Sequence, residues 1–236
     1  MINSAISFGV AILLAVLLKL LHVNLWIGSL IGLVAGAAAF WFIAKNVQDR
    51  LEAIFKQASE QLKPKQHEPA IKAMQKGYAL APWQFGVKSA VNAQIGMLYY
   101  VLSKPAEAEP LLKASGMNHF AKAMLAILQW KRGATKLAKD TFASAIGWTG
   151  RKESIIYALY AYVLNEMRDR NAAIEVINRG LKYCKDDERL LTNRTLLQNK
   201  KPMKMTVYGN LWYQFMLERP VVRQELPSFV RMPKRR

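Results

Sequence analysis

The sequence reads as an all-α protein in two parts, an N-terminal transmembrane helical hairpin over residues 1–44 and a cytoplasmic set of helical repeats over 45–200, with an amphipathic and basic end over 201–236. Three observations predict this. Met1 to Ala44 carry a single charged side chain, Lys19, while the chain as a whole has 34 Lys and Arg against 16 Asp and Glu, so +17 of its +18 formal charge lies beyond Ala44. No sustained two-residue alternation of apolar and polar side chains runs through the rest of the chain, whereas apolar positions three and four apart recur up to about Lys200. Small residues also return at a fixed spacing, flanked by turn signals.

Ala5 to Leu21 and Leu25 to Ala44 form two apolar runs. The second has 20 residues, about 30 Å of helix at roughly 1.5 Å per residue, which matches the hydrocarbon thickness of a bilayer. Lys19 lies near the end of the first run, where its ammonium reaches the interface. His22-Val23-Asn24 is too short for anything but a tight turn, so both ends of the hairpin emerge on one side. Trp26 at one end and Phe40, Trp41 and Phe42 at the other suit the two interfacial aromatic belts. Gly28, Gly32 and Gly36 line one helix face with small residues and invite close packing. Their partner is either Ala5, Gly9, Ala11 and Ala15 of the first run or the same helix of a second copy, which leaves a homodimer open. Met1 to Ser4 hold no basic residue, unlike a secretory signal. Lys45, Arg50, Lys56, Lys63 and Lys65 follow the second run, so the positive-inside rule predicts that both termini are cytoplasmic.

Beyond the hairpin the repeating unit is a pair of small residues 12 apart, then a large apolar residue four later and another small one three after that. Ala58, Ala70, Met74 and Gly77 form the first instance, and Gly96, Ala108, Leu112 and Ser115 the second. Ala126, Ala138, Phe142 and Ala145 form the third, and Ala161, Ala173, Ile177 and Gly180 the fourth. Between the paired small residues lie Lys63-Pro64-Lys65, Ser103-Lys104-Pro105, Lys131-Arg132-Gly133 and Arg168-Asp169-Arg170-Asn171, which read as turns. Small residues at a helix crossing allow close contact, and stacked pairs bury what one pair leaves open. In this spacing, with Gly96, Tyr99 and Pro82 at positions where that family places such residues, Leu51 to Asp187 resembles the tetratricopeptide repeat family. The repeats are degenerate: Ala70, Ala108, Ala138 and Ala173 are 38, 30 and 35 residues apart, against about 34 in the family. Pro110 falls inside a second helix, which it shortens or kinks.

The resemblance implies an α-solenoid whose first helices line a groove that receives peptide or helix segments of partner proteins. Aligned on the first small residue of each quartet, the groove positions are Phe55, Tyr100, Phe120, Trp130, Lys131, Tyr162, Asn165 and Glu166. The family's carboxylate clamp is not recognisable among them, so recognition of a free C-terminus is not implied. Membrane-anchored members of similar layout serve envelope biogenesis, secretion or polymer export, which points to a bacterial inner membrane.

Composition excludes two classes outright. At 52% hydrophobic the chain is no disordered polymer, and its lone cysteine, Cys184, excludes a disulfide scaffold. His22, His67 and His119 are scattered, no metal spacing or nucleotide-binding loop is present, and no catalytic residue, metal or cofactor is assigned; the chain reads as a non-enzyme. His119 reads as a capping or surface residue, and Asp186-Asp187-Glu188 as a helix cap or a solvated run. Asn193-Arg194-Thr195 matches a glycosylation sequon that a cytoplasmic location leaves idle. After Lys200, Tyr208, Leu211, Trp212, Phe215 and Met216 fall at near-helical spacing before a proline-containing basic tail.

The expected function is that of a membrane-anchored scaffold or adaptor that binds other proteins. Anionic lipid is expected at Lys45, Arg50, Lys56, Arg231, Lys234, Arg235 and Arg236. The alternative is a basic accessory factor that binds anionic lipid or nucleic acid at the membrane surface, although no nucleic-acid-binding motif accompanies the charge.

Overall fold

A computed structural model describes residues 1–62 and 67–218, and all regular structure among them is helical. The expected Lys63-Pro64-Lys65 turn and the tail residues Arg231, Lys234, Arg235 and Arg236 lie outside the described residues.

Helix α1 spans Ile2–Leu20 and helix α2 spans Leu25–Glu60. They pack antiparallel, and each contains a segment long and apolar enough to cross a membrane. His22 turns the chain in the left-handed region (φ 60°), Val23 N–H returns to Leu18 O at 3.0 Å, and Asn24 Oδ1 caps α2 by accepting from Trp26 N–H at 3.0 Å. The three glycines of α2 are buried against α1. A Cβ on Gly36 would stand 2.8 Å from both Ala11 Cβ and Ser7 O, and one on Gly32 would stand 2.5 Å from Ala11 O. Only a glycine stripe lets the backbones come this close. The complementary stripe is Ser7, Ala11 and Ala15, whereas Ala5 and Gly9 face outward.

Composition changes at Ala44, but the backbone does not. Nothing between Phe40 and Glu60 breaks a helix, so α2 runs on for 36 residues in all, about 54 Å. Its second half forms a pair with α3 (Glu68–Gln75). Three further pairs follow: α4 (Val87–Val101) with α5 (Pro105–Lys113), α6 (His119–Lys131) with α7 (Thr135–Ala145), and α8 (Ser154–Glu166) with α9 (Arg170–Tyr183). Helix α10 (Glu188–Gln198) closes the series against α9 and α8. Pro110 lies inside α5, a helix of only 9 residues. Every member of the four small-residue quartets is buried. At Gly96 the reason is visible, since a Cβ there would stand 3.1 Å from the backbone nitrogen of Leu112.

The turns inside the pairs share one geometry. Ser103, Gly133 and Arg168 all have positive φ, and the next residue's N–H bonds back five residues: Lys104 to Tyr99 O, Ala134 to Gln129 O and Asp169 to Leu164 O, at 2.9–3.0 Å. Asp169 then caps α9 through Ala172 N–H and pairs with Lys139 at 3.1 Å. Asp187 caps α10, accepting from Arg189 and Leu190 N–H, so the acidic run begins a helix.

After α10, Asn193 pins the returning chain. Its Oδ1 accepts from Lys204 N–H at 2.7 Å and its Nδ2 donates to Arg189 O at 3.0 Å. The sequon asparagine is thus fully buried. A 3-10 turn over Met205–Tyr208 and the single-turn helix α11 (Asn210–Tyr213) complete the described chain.

Candidate functional site

Helices α4, α6 and α8 lie side by side and present one face. The sequence places its groove residues here, and the structure brings four of them together on a single ligand, the chain's own C-terminal segment. Tyr100 Oη donates to Phe215 O at 2.6 Å and Lys131 Nζ to Met216 O at 3.4 Å. Phe120 stacks on Phe215 with centroids 6.4 Å apart, and Tyr162 meets Trp212 edge-on at 5.1 Å. Trp212 and Phe215 are fully buried, and the indole N–H donates to Glu218 at 3.0 Å. Trp130 packs half-buried against the same core. Asn165 and Glu166 sit at the end of α8, one turn from Tyr162, and no side-chain bond ties them to the segment. Phe55 is elsewhere: it packs half-buried against a separate cluster that α2, α3 and α4 share, with Val47, Leu51, Ile71, Val91 and Ile95 among its members.

Burial raises the Tyr100 hydroxyl well above its ordinary value, so it remains a donor throughout the physiological range. Burial also raises Tyr162, with Glu166 and Glu218 adding to the effect. The Tyr208 hydroxyl is raised by burial and has no hydrogen-bond partner. Arg189 stacks on its ring at 4.9 Å while holding Asp187 at 2.6 Å. The near-helical spacing of Tyr208, Trp212 and Phe215 thus marks an apolar side that turns into the protein. The expected amphipathic helix is not formed: a 3-10 turn and a four-residue helix meet at Gly209, Leu211 and Met216 stay exposed, and the face that the other three cover could not be read locally, since Tyr100 and Phe215 are 115 residues apart.

A second arrangement lies where the apolar run of α2 ends. The N-terminal amine of Met1 and the N–H of Ile2 both donate to Pro82 O, and Asn3 N–H donates to Trp83 O at 3.1 Å. Asn3 Nδ2 reaches Phe40 O at 3.3 Å, and Ser7 Oγ donates to Asn3 Oδ1 at 3.3 Å. These bonds fix the start of α1 against α2 and against the loop that precedes α4. Beside them a cleft of about 190 Å³ is lined by Phe42, Ile43, Asn46, Arg50, Leu80 and Trp83, among others. Lys45 sits 5.4 Å over the Trp41 ring. Along the α2 axis Arg50 lies about 9 Å and Lys56 about 18 Å beyond Ala44.

Cys184 is half-buried, and burial raises its thiol, with Asp187 and Glu153 adding to the effect. His119 opens α6 half-buried, but the cap is Asn118, whose Oδ1 accepts from Ala121 N–H at 2.9 Å. No group of three or more His, Cys, Asp or Glu side chains among the described residues is placed to hold a metal ion.

No protein-family model, no curated protein and no solved structure matches the chain.

Proposed function

We propose that the chain is a membrane-anchored adaptor, in which a two-span hairpin holds a tetratricopeptide-like stack of helix pairs at the cytoplasmic face of a bacterial inner membrane. The face of α4, α6 and α8 takes an aromatic-bearing segment of a partner protein, in exchange for the chain's own. The observation that carries this reading is the occupied face itself. Tyr100 and Lys131 bond to main-chain carbonyls, while Phe120 and Tyr162 hold aromatic side chains. Main-chain bonds give affinity for any chain in that register, and the aromatic pockets give selectivity.

The hairpin supports the anchor. Its buried residues on the apolar stretch are Asn3, Ser7, Gly28, Gly32 and Gly36, while Phe8, Leu13, Leu30 and Leu33 point outward. A hairpin that buries small residues and exposes large apolar ones suits lipid as its solvent. The basic residues after Ala44 favour cytoplasmic termini. Of these, Lys45 and Arg50 stay within about one Debye length of the end of the apolar run and are the better placed for anionic lipid. The burial of all four quartets supports the tetratricopeptide-like stack.

Crosslinking in native membranes, followed by identification of co-purified proteins, tests the reading. Specific proteins are expected from the wild type, with recovery reduced several-fold by Tyr100→Ala or Trp130→Ala while the chain stays in the carbonate-washed membrane. Recovery of phospholipid or nucleic acid alone, unaffected by either change, refutes it.

A further inference from the structure

In a stack of antiparallel helix pairs, the links from one pair to the next fall on one edge and the turns within pairs on the other. The links here are residues 81–86, 114–118, 146–153 and 184–187, and contacts string them into a row. Gly116 lies against Ser89 at the start of α4, where a Cβ would be 3.0 Å from the serine Cβ. Thr149 Oγ1 donates to Met117 O at 2.6 Å, and Cys184 Sγ approaches Arg151 O at 3.9 Å. The row begins at the hairpin, because the first link accepts the N–H groups of Met1, Ile2 and Asn3. Helix α2 leaves the apolar hairpin at this edge and reaches the other edge at Glu60. The linking edge therefore starts level with the end of the apolar run.

This edge exposes large apolar side chains at every link. Phe85 and Trp148 are each 81% exposed, Met117 is 66% exposed and Tyr183, beside the last link, 44% exposed. A domain that buries Trp212, Tyr157 and Phe142 completely leaves these outside. The described turns of the opposite edge, at Ser103-Lys104, Arg132-Gly133 and Arg168-Asp169, carry no aromatic residue. Arg151 lies between two of the exposed rings, 5.3 Å from Trp148 and 5.0 Å from Tyr183. The first three links and the helix starts they lead into add Lys88, Lys122 and Lys152, with Glu153 as their acid, while in the fourth Lys185 and Arg189 face Asp186, Asp187 and Glu188. Exposed Trp, Tyr and Phe beside basic side chains are the chemistry of a membrane interface, where the rings enter the headgroup region and the cations meet lipid phosphates.

We propose that the linking edge is a membrane-docking surface, by which the helical stack rests against the anionic bilayer that its hairpin spans. The proposal rests on the membrane-anchor reading above. The rigid continuation of α2 sets the stack at the surface, and Phe85, Met117, Trp148 and Tyr183 dip into it. The face of α4, α6 and α8 then runs from the bilayer outward.

Spin labels test this on the full chain in nanodiscs of phosphatidylcholine and phosphatidylglycerol, in a Cys184→Ser background. Single labels go at Phe85→Cys, Met117→Cys and Trp148→Cys on the linking edge, at Val101→Cys on the opposite edge and at Leu33→Cys within the hairpin. Collision with oxygen is expected to exceed collision with a water-soluble nickel chelate at 33, 85, 117 and 148, and to fall below it at 101. A lipid reading at 33 with aqueous readings at 117 and 148 overturns the docking edge and leaves the anchor standing. An aqueous reading at 33 overturns both.

Discussion

Replacing Trp212 by Ala tests how the C-terminal segment is held. The indole is fully buried, meets Tyr162 edge-on at 5.1 Å and donates to Glu218 at 3.0 Å. Truncating a buried Trp to Ala costs about 3–5 kcal/mol through lost burial and the space left behind. The segment follows the helix pairs in the chain and packs on one face of them, so this cost is expected to fall on its docking and not on the pairs beneath. At about 1.4 kcal/mol per factor of ten, backbone exchange over 205–218 is expected to quicken by roughly two to three and a half orders of magnitude. Hydrogen exchange read by mass spectrometry on the full chain in nanodiscs measures this peptide by peptide. Peptides of α6 and α8 are expected to keep their protection. Equal loss of protection in α6, α8 and the segment would refute the reasoning, because the segment would then be an inseparable part of the core. An unchanged segment would refute it too.

Three further outcomes follow from other contacts. Gly36→Val sets side-chain atoms against Ala11 Cβ and Ser7 O, both 2.8 Å from the ideal Cβ position, and is expected to lower the thermal stability of the hairpin in micelles by about 1–3 kcal/mol. Gly9→Ala, which meets nothing within 4 Å, is expected to leave the melt unchanged. Asn193→Ala removes the acceptor of Lys204 N–H at 2.7 Å and the donor to Arg189 O, and is expected to cost about 1–3 kcal/mol in thermal unfolding. Burial holds the His119 imidazole below the usual histidine range, with Glu153 pulling weakly the other way, and its Nε2 has no partner. The fold prefers the neutral ring, so the associated stability is complete above the unfolded pKa of about 6.5 and is lost as pH falls through it. The melting temperature is expected to decline below that pH, and His119→Gln to flatten the decline.

The quartets were legible because a helix crossing imposes a local rule: Ala126, Ala138, Phe142 and Ala145 must be of those sizes wherever the pair sits. The turn at Gly133 carried its own signal, whereas Ser103 and Arg168 adopt the same positive φ with residues that do not announce it. The continuity of α2 is legible in the absence of any breaker after Phe40, whereas the change in composition at Ala44 marks a change of surroundings and not an end of the helix. Alignment on the small residues places Phe55 with the groove, whereas in the structure it packs against the cluster shared by α2, α3 and α4, away from the C-terminal segment. What could not be read was adjacency at long range. Nothing local ties Trp212 to Tyr162, or Met117 to Thr149; stacking creates both.

The most direct test of the proposed adaptor role is a photocrosslinking amino acid at Phe120, the ring that stacks on Phe215, introduced into the full chain in living cells. Wild type is expected to crosslink to its own 205–218 segment and, in part, to a second polypeptide. Adding Trp212→Ala is expected to reduce the internal adduct and raise the intermolecular one several-fold. Loss of the internal adduct with no second polypeptide taking its place would contradict the account.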